Sequence, residues 1–246
     1  MFADLGLLAI LWIAAVSFGA GLVRGYSGFG FAAIVLSGAG LVANPVVFVP
    51  VVLVSDVFLT AGQARGIRRE IEWRRILWMA LGAVITLPFS VWAITSVGVD
   101  MARLIISLAI LLATLALWTG WRMTRPMGPG AHVVAGIVSG TAHGASLGGL
   151  PIAVFFAAQS IPATAFRATI IVFFFLLNFW ALPLMFRAGM VSTATFALTA
   201  LCLPFMALGV WYGSHRFRAS SPEGFRQFAL LLLGCLALAG IVRAIA

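Results

Sequence analysis

The sequence predicts an all-α integral membrane protein made of two inverted repeats, with roughly eight to ten membrane segments at about 20 apolar residues each. Of its 246 residues, 63% are hydrophobic and only 9% are charged, and its mean hydropathy is +1.15. In soluble domains about a quarter of the residues are charged, so this chain has too few charges to cover a surface that faces water. The apolar runs fill almost the whole chain and leave no room for a separate soluble domain.

Ten apolar runs form two sets of five. They lie at 5–23, 28–43, 46–63, 76–95 and 102–120, and then at 132–143, 147–158, 166–186, 191–211 and 226–245. The polar segment between the sets contains two Pro and two Gly residues, a composition typical of a linker. We therefore expect a first membrane repeat over 1–120, a cytoplasmic linker over 121–131 and a second, inverted repeat over 132–246.

Each half begins with a helical segment that is interrupted by glycines. Run 132–143 is too short to cross a bilayer at 1.5 Å per residue, so it predicts a re-entrant hairpin with run 147–158. Runs 5–23 and 28–43 are the counterpart in the first half. Because they are longer, the sequence leaves open whether this first hairpin turns back inside the membrane or crosses it.

The arginines predict the orientation. All of the formal net charge of +9 rests on Arg, and most Arg residues lie in the segments 64–75, 121–131 and 212–226. The positive-inside rule places these three segments in the cytoplasm. Each half has an odd number of runs, so two halves in series are inverted and both termini are expected in the periplasm. Short basic loops between apolar runs do not form a nucleic-acid surface, and no nucleic-acid partner is expected.

Matching residues support an internal duplication. Gly25–Gly30 in the first half corresponds to Gly144–Gly149 in the second, so that Ser27 matches Ser146 and Gly30 matches Gly149. Further along, Asp56 and Asn178 each precede an Arg by nine residues. These matches and the shared order of the runs point to two copies of one membrane unit.

The glycine clusters predict a binding site. Glycine lets a helix break and restart, and the first N–H groups of the restarted helix have no partner within the helix. Within a membrane such a break survives only where it lines a cavity or is buried in protein. Two helix N-termini that enter from opposite sides would aim their positive ends at one point, which suits an anion. The alternative is that the glycines are small-residue packing faces between helices.

Polar residues beside these clusters are candidates for binding or proton coupling. Arg24 is either an anion ligand or an anchor at the end of a crossing helix, and Arg167 is either an anchor or a substrate contact at the cavity floor. His143 could donate to an anion, carry a proton or simply be packed. Asp56 is the one acid well inside an apolar run. It is a proton-coupling candidate or a structural partner of Arg24.

The sequence argues against catalysis. It contains no nucleophile, zinc or phosphate-binding motif, and only six acidic residues. Cys202 and Cys235 have no metal-ligand spacing, so neither a metal nor a cofactor is expected.

Several segments resemble the sulfite exporter TauE/SafE family over nearly the whole chain, from about residue 5 to residue 244. They are Gly28-Phe-Gly-Phe31, Glu72-Trp73, Gly136-Ile-Val-Ser-Gly140, Gly148-Gly149 and Pro151. The resemblance implies a bacterial inner-membrane transporter of small sulfur-containing anions, with its site at 25–30 and 143–151. The family's second cluster usually runs Gly-x-Gly-Gly-Pro, whereas this chain has Ser146-Leu-Gly-Gly-Leu-Pro151, which puts the substrate in doubt more than the fold.

We therefore expect a secondary transporter, an exporter of sulfite or of organosulfonates such as sulfoacetate, that works by alternating access around a midplane site. Its predicted substrate-binding residues are Arg24, Gly25, Ser27, Gly28, Gly30, His143, Ser146, Gly148, Gly149, Arg167 and Asn178. Asp56 and His143 are the proton-coupling candidates, with H+ as a candidate coupling ion, although the sequence leaves the coupling ion open. The alternatives are an anion channel, or a membrane subunit or enzyme of a larger complex without transport activity. Substrate, direction and oligomeric state are left open.

Overall fold

The computed structural model describes residues 6–120, 127–159 and 161–219, together with residues 234, 238, 241 and 242. These residues form nine continuous α-helices and a 3-10 turn, Arg68–Glu70, and no strand occurs among them. The helices are α1 Leu7–Ser27, α2 Phe31–Gly40, α3 Pro45–Ile67, α4 Trp73–Ser96, α5 Val99–Trp118, α6 Pro129–His143, α7 Gly149–Ala157, α8 Ala163–Arg187 and α9 Thr193–Ala219. Most of the predicted linker and most of the tenth run, 226–245, lie outside the described residues.

The prediction of an all-α integral membrane protein is confirmed. Six of the helices are long and apolar enough to cross a membrane by length and composition: α1, α3, α4, α5, α8 and α9. Large apolar side chains face outward from the bundle, with Leu8 83%, Trp92 70% and Trp211 69% exposed. Such a surface is costly in water and suits contact with lipid.

The three remaining helices are too short to cross. At 1.5 Å per residue, α2 is about 15 Å long, α6 about 22 Å and α7 about 14 Å, against a hydrocarbon core of about 30 Å. Two of them form the predicted second hairpin, in which the Ser139 hydroxyl of α6 donates to the carbonyl of Gly148 at 2.9 Å.

The first hairpin also turns back. Near the start of α1, Trp12 Nε1 donates at 2.7 Å to the carbonyl of Gly38 near the end of α2, so the two helices run antiparallel. Their turn contains Gly28 and Gly30 at positive φ, 83° and 81°, which only glycine adopts without strain. Residues of this turn line one small cavity with Asp56, which lies at the middle of α3. Although α1 is long enough to span, its C-terminal end therefore reaches only the middle of α3.

Glycines allow the closest helix contacts, which join α1 to α9 and α4 to α6. On α1, Gly21 lies directly against the backbone of Met206, and Gly209 of α9 lies against the backbone of Phe18. In the α4–α6 pair, Gly136 of α6 lies against the backbone of Met79 of α4. Small residues let helix backbones approach closely, which is a main source of packing energy in membranes.

The α1–α9 and α4–α6 contacts are arranged as an internal duplication would require. In each case the first helix of one half packs on the fourth helix of the other half. The inversion of the halves stays a prediction.

The α1–α9 contact makes the first testable prediction. Gly21→Ala places a methyl group against the Met206 backbone, which cannot move away as a side chain could. We expect it to lower the free energy of unfolding by about 1–3 kcal/mol. Gly19→Ala is the matched control, because nothing lies within 4 Å of its added methyl group. Unfolding in detergent measures both, and equal stability of the two variants would contradict this account of the contact.

Candidate functional site

A buried ion pair lies at the centre of the bundle. The Arg24 guanidinium, near the end of α1, donates through Nη1 to Oδ1 of Asp56 at the middle of α3. Both residues are almost fully buried, at 3% and 5% exposure. Arg24 Nη2 also donates to the Thr60 hydroxyl, one turn further along α3, at 2.6 Å. Of the alternatives open from the sequence, the structure pairs Arg24 with Asp56.

The network continues into the second half. Asn178 of α8 donates through Nδ2 to Oδ2 of Asp56 at 2.8 Å, and its Oδ1 lies 3.0 Å from Nε2 of His143 on α6. An ionised carboxylate only accepts hydrogen bonds, so the Asn178 amide must point its NH2 group at Asp56 and its oxygen at His143. His143 Nε2 therefore carries the proton and donates. The His143 ring also stacks on Phe174, with ring centroids 5.6 Å apart.

One predicted repeat pair, Asp56 and Asn178, thus meets the residues beside the two glycine clusters in one chain of hydrogen bonds. Arg24 and His143 flank the two glycine clusters, and Asp56 and Asn178 occupy matching positions in the two halves. The four side chains come from α1, α6, α3 and α8 and are separated by up to 154 positions in sequence. The network therefore joins the turn of each hairpin to a long helix.

A small cavity of about 50 Å3 adjoins this network. One probe-sized water occupies about 10–15 Å3, so the cavity has room for a small ion or a few waters. Its walls combine polar groups, exposed backbone at the hairpin turns, and aromatic and aliphatic side chains. The lining residues are Arg24, Gly28, Phe29, Gly30, Phe31, Ala32, Val52, Leu53, Asp56, His143, Ser146, Gly149, Phe174 and Asn178.

Two helices begin at this cavity. Helix α2 starts after Gly30 and α7 starts after Gly148, and neither start has a side-chain cap. Their first N–H groups have no partner within the helix and carry the positive end of the helix dipole. In α7, however, Leu150 N–H donates to the Leu147 carbonyl and Pro151 has no N–H, so Gly149 supplies the free donor there. Such N-termini favour an anion in the space between them.

Ser146 occupies the turn of the second hairpin in a conformation that is uncommon for a residue with a side chain. Its φ is +59°, and its hydroxyl donates to the carbonyl of Val49 on α3 at 3.1 Å. Positive φ at a non-glycine residue costs of order 1–3 kcal/mol and is held only by surrounding contacts. The hydroxyl bond to α3 is one such contact, and it brings a polar group to the cavity wall.

A larger cavity, of about 660 Å3, opens between α3, α8 and α9. We call it the vestibule. Its polar lining residues are Gln63, Glu70, Thr164, Arg167, Ser214 and His215.

Arg167 stands between the vestibule and the small cavity. It donates through Nη2 to the carbonyl of Gly25 at 2.7 Å and to the Ser214 hydroxyl at 2.9 Å. A Cβ at Gly28, which lines the small cavity, would lie 3.0 Å from Cγ of Arg167. The Arg167 side chain and the Gly25–Gly28 segment therefore form the partition between the two spaces.

Not every predicted site residue lines the small cavity. Gly25 packs against Val210 and Ser214 of α9, and the Ser27 hydroxyl is hydrogen-bonded to the carbonyls of Val23 and Phe29. Gly148 lies between His143 and Ser139, where it lets the ring approach the turn. With Arg167, these residues lie next to the cavity and support its walls.

Three residues at the site are not predicted from the sequence: Thr60, Phe31 and Phe174. Thr60 follows Asp56 by four residues and Phe174 precedes Asn178 by four, so each lies one helical turn from a residue that was singled out. Helical spacing around the buried polar residues would have found both. Phe31 places its ring 5.6 Å from the Arg24 guanidinium carbon. Within the described part of the chain, no group of three His, Cys, Asp or Glu residues is placed to hold a metal ion.

The family model described as Sulfite exporter TauE/SafE matches residues 13–240 of the chain. This match spans both hairpins, the network and the vestibule. Comparison with curated proteins and with solved structures finds no match.

The buried ion pair makes a second prediction. Arg24→Gln and Asp56→Asn each leave one buried charge unpaired, so each should lower the free energy of unfolding by about 3–5 kcal/mol. The double variant removes both charges and should lose clearly less than the sum of the two single losses.

Asp100→Asn is the control for this cycle. Asp100 pairs with Arg103, but its side chain is 77% exposed, so its loss should cost at most about 1 kcal/mol. Denaturant titration of the protein in mixed micelles gives all four values. Additive losses of Arg24→Gln and Asp56→Asn would show that the two charges do not depend on each other.

Proposed function

This chain belongs to the sulfite exporter TauE/SafE family of membrane transporters, and from that premise we propose that it carries small sulfur-containing anions through the small cavity beside Arg24. It is a multi-pass membrane protein and a transporter rather than an enzyme. One observation carries the proposal: a buried guanidinium and the uncapped N-termini of α2 and α7 meet at the same small space.

The chemistry of this cavity suits an oxyanion of sulfur. A guanidinium offers several N–H donors in one plane and binds oxyanions in a bidentate way, and backbone N–H groups add donors that need no charge. Ser146 and His143 line the same cavity from the second half, where the Ser146 hydroxyl would turn from the Val49 carbonyl to the anion and the His143 ring forms part of the wall. Sulfite and the sulfonate group each present three oxygens on a compact centre, which fits a cavity of about 50 Å3.

The aromatic walls extend the proposal to organosulfonates. Phe29, Phe31 and Phe174 line the same cavity, so a short carbon chain such as that of sulfoacetate would meet apolar surface. The sulfonate end would lie at Arg24 and the two helix starts.

The vestibule supports an alternating-access mechanism. Its lining includes the C-terminal end of α3 and Glu70, in the Arg-rich segment 64–75 that the positive-inside rule places in the cytoplasm. We propose that substrate enters from this side and that Arg167 closes the inner partition. The site would reach the cytoplasm when Arg167 releases Gly25 and Ser214.

The proposed topology completes this scheme. The two halves are inverted, the segments 64–75, 121–131 and 212–226 face the cytoplasm of a bacterial cell, and both termini face the periplasm. The hairpins then enter from opposite sides, and their turns meet at the midplane site. The network of Arg24, Asp56, Asn178 and His143 supports this, because it joins both turns to the interiors of α3 and α8.

Transport in proteoliposomes tests the function. We expect saturable uptake of labelled sulfite or sulfoacetate, and Arg24→Gln should lower binding and transport by about 100-fold, since it removes the one positive side chain at the site. Arg68→Gln, an exposed arginine of the 3-10 turn, is the matched control and should transport normally. Conductance that does not saturate would indicate a channel, and failure of every sulfur oxyanion to bind or to be transported would overturn the proposal.

The proposed partition makes a further prediction. In a cysteine-free background, Ser146→Cys reports access to the small cavity by its rate of labelling with a membrane-impermeant thiol reagent. Arg167→Ala removes the hydrogen bonds to Gly25 and Ser214, so labelling from the cytoplasmic face of inside-out vesicles should rise about tenfold.

Arg187→Ala, at the other end of α8, is the control and should leave this rate unchanged. Unchanged labelling in Arg167→Ala would mean that the inner barrier lies elsewhere.

A further inference from the structure

The small cavity contains balanced charges before any substrate binds. Among its lining residues, Arg24 and Asp56 are the charged ones, and they are already paired with each other. Asn178 and Ser146 are neutral, and His143 is buried and bonds to a neutral amide rather than to an acid, so burial favours its uncharged form. An arriving anion therefore finds no uncompensated positive side chain.

An anion in this cavity would compete directly with the Asp56 carboxylate. Both need the same guanidinium, and both would lie in a buried space where two negative charges repel strongly. An unbalanced charge inside a membrane protein is costly. Binding therefore requires a second event that removes one negative charge.

We propose that each anion bound beside Arg24 is accompanied by one proton, which Asp56 takes up as its guanidinium partner turns to the anion. This inference rests on the proposed function. The proton adds to one carboxylate oxygen of Asp56, and no other covalent bond changes. With a monovalent anion, the loaded site then contains the guanidinium, the anion and a neutral carboxyl group, so its charge is again balanced.

The surrounding contacts allow this exchange. Arg24 also donates to Thr60 through Nη2, which holds the guanidinium in place while Nη1 changes partner. Asn178 can keep donating to Asp56, because the carbonyl-type oxygen of a protonated carboxyl group still accepts. Leu59 and Gln63 of the same helix line the vestibule, which gives the proton a nearby aqueous source.

Other titratable groups near Asp56 are already engaged or lie apart. From α1 the group facing Asp56 is Arg24, from α8 it is Asn178 with His143 of α6 behind it, and α2 has no titratable residue. On α9, Cys202 is buried, His215 lines the vestibule and Arg216 bonds to Tyr212. At the start of α5, Asp100 and Arg103 pair with each other, and Glu70 lines the vestibule.

His143 is the rival proton acceptor, because it also lines the cavity. Its protonation would add a positive charge but would leave the carboxylate in competition for Arg24. Asp56 is favoured because its neutralisation removes that competitor.

For a monovalent anion, both the empty and the loaded site are electrically neutral, so the membrane potential neither drives nor opposes the loaded crossing. The direction of transport then follows the concentrations of anion and proton on the two sides.

Proton uptake by the purified protein tests the inference. The probes are methanesulfonate, a strong-acid anion whose charge does not change with pH, and sulfite. We expect about one proton taken up per methanesulfonate bound, and an affinity that falls about tenfold per pH unit wherever the free protein holds Asp56 ionised. A pH indicator in weakly buffered micelles gives the stoichiometry, and titration at several pH values gives the slope.

Variants of the protein identify the residue that takes up the proton. Asp56→Asn should bind the anion without proton uptake and with an affinity independent of pH, while Asp100→Asn, an exposed carboxylate, should behave as wild type. For sulfite, which titrates itself, the difference between wild type and Asp56→Asn isolates the protein's share. If Asp56→Asn does not fold, Asp56→Glu should retain proton uptake, and the wild-type stoichiometry stands by itself.

The outcomes separate the two proposals. If neither anion binds wild type at any pH, the proposed function fails and this inference fails with it. If an anion binds with no proton uptake and a flat pH profile, or only with added sodium, the coupling to Asp56 is wrong while the function stands. Proton uptake that survives in Asp56→Asn and disappears in His143→Gln would assign the proton to His143 and overturn the inference.

Discussion

The ion pair between Arg24 and Asp56 is the constraint on which the rest of the centre depends. Neither charge can lie alone within a membrane-spanning bundle at tolerable cost. The pair therefore requires the end of α1 to reach the middle of α3, and that position makes the chain turn back at Gly28–Gly30. Asn178 extends the same requirement to the second hairpin, because it must satisfy Asp56 and His143 together. The requirement to pair these buried groups thus sets the depth at which both hairpins turn.

Small residues make this arrangement sterically possible. Gly21 and Gly209 let α1 and α9 approach until backbone meets backbone, and Gly136 does the same for α6 against α4. These contacts hold each hairpin to a long helix of the other half. The glycine clusters consequently serve both interpretations that the sequence left open: Gly25 packs helices together, whereas Gly28 and Gly30 line the small cavity.

The proposed transport cycle uses two arginines in different ways. Arg24 lies at the end of the polar network and is the proposed anion ligand. Arg167 lies at the partition and donates to the Gly25 carbonyl and the Ser214 hydroxyl. Alternating access needs two elements. One is a binding group that can exchange its partner, as proposed for Arg24, and the other is a barrier held by hydrogen bonds, as proposed for Arg167. Under this scheme the proton on Asp56 links the first element to substrate binding.

The all-helical membrane class and the positions of the segments follow from the amino-acid sequence alone. The run 147–158 became α7, Gly149–Ala157, and the run 166–186 became α8, Ala163–Arg187. Hydropathy and glycine content are local properties of the sequence, so they predict the length of each apolar segment and the places where its helix is interrupted. Only the tertiary structure decided that Arg24 pairs with Asp56, that Asn178 joins Asp56 to His143, and that Ser27 bonds to its own turn. Those outcomes depend on which helix faces lie opposite one another, and no local pattern of residues contains that information.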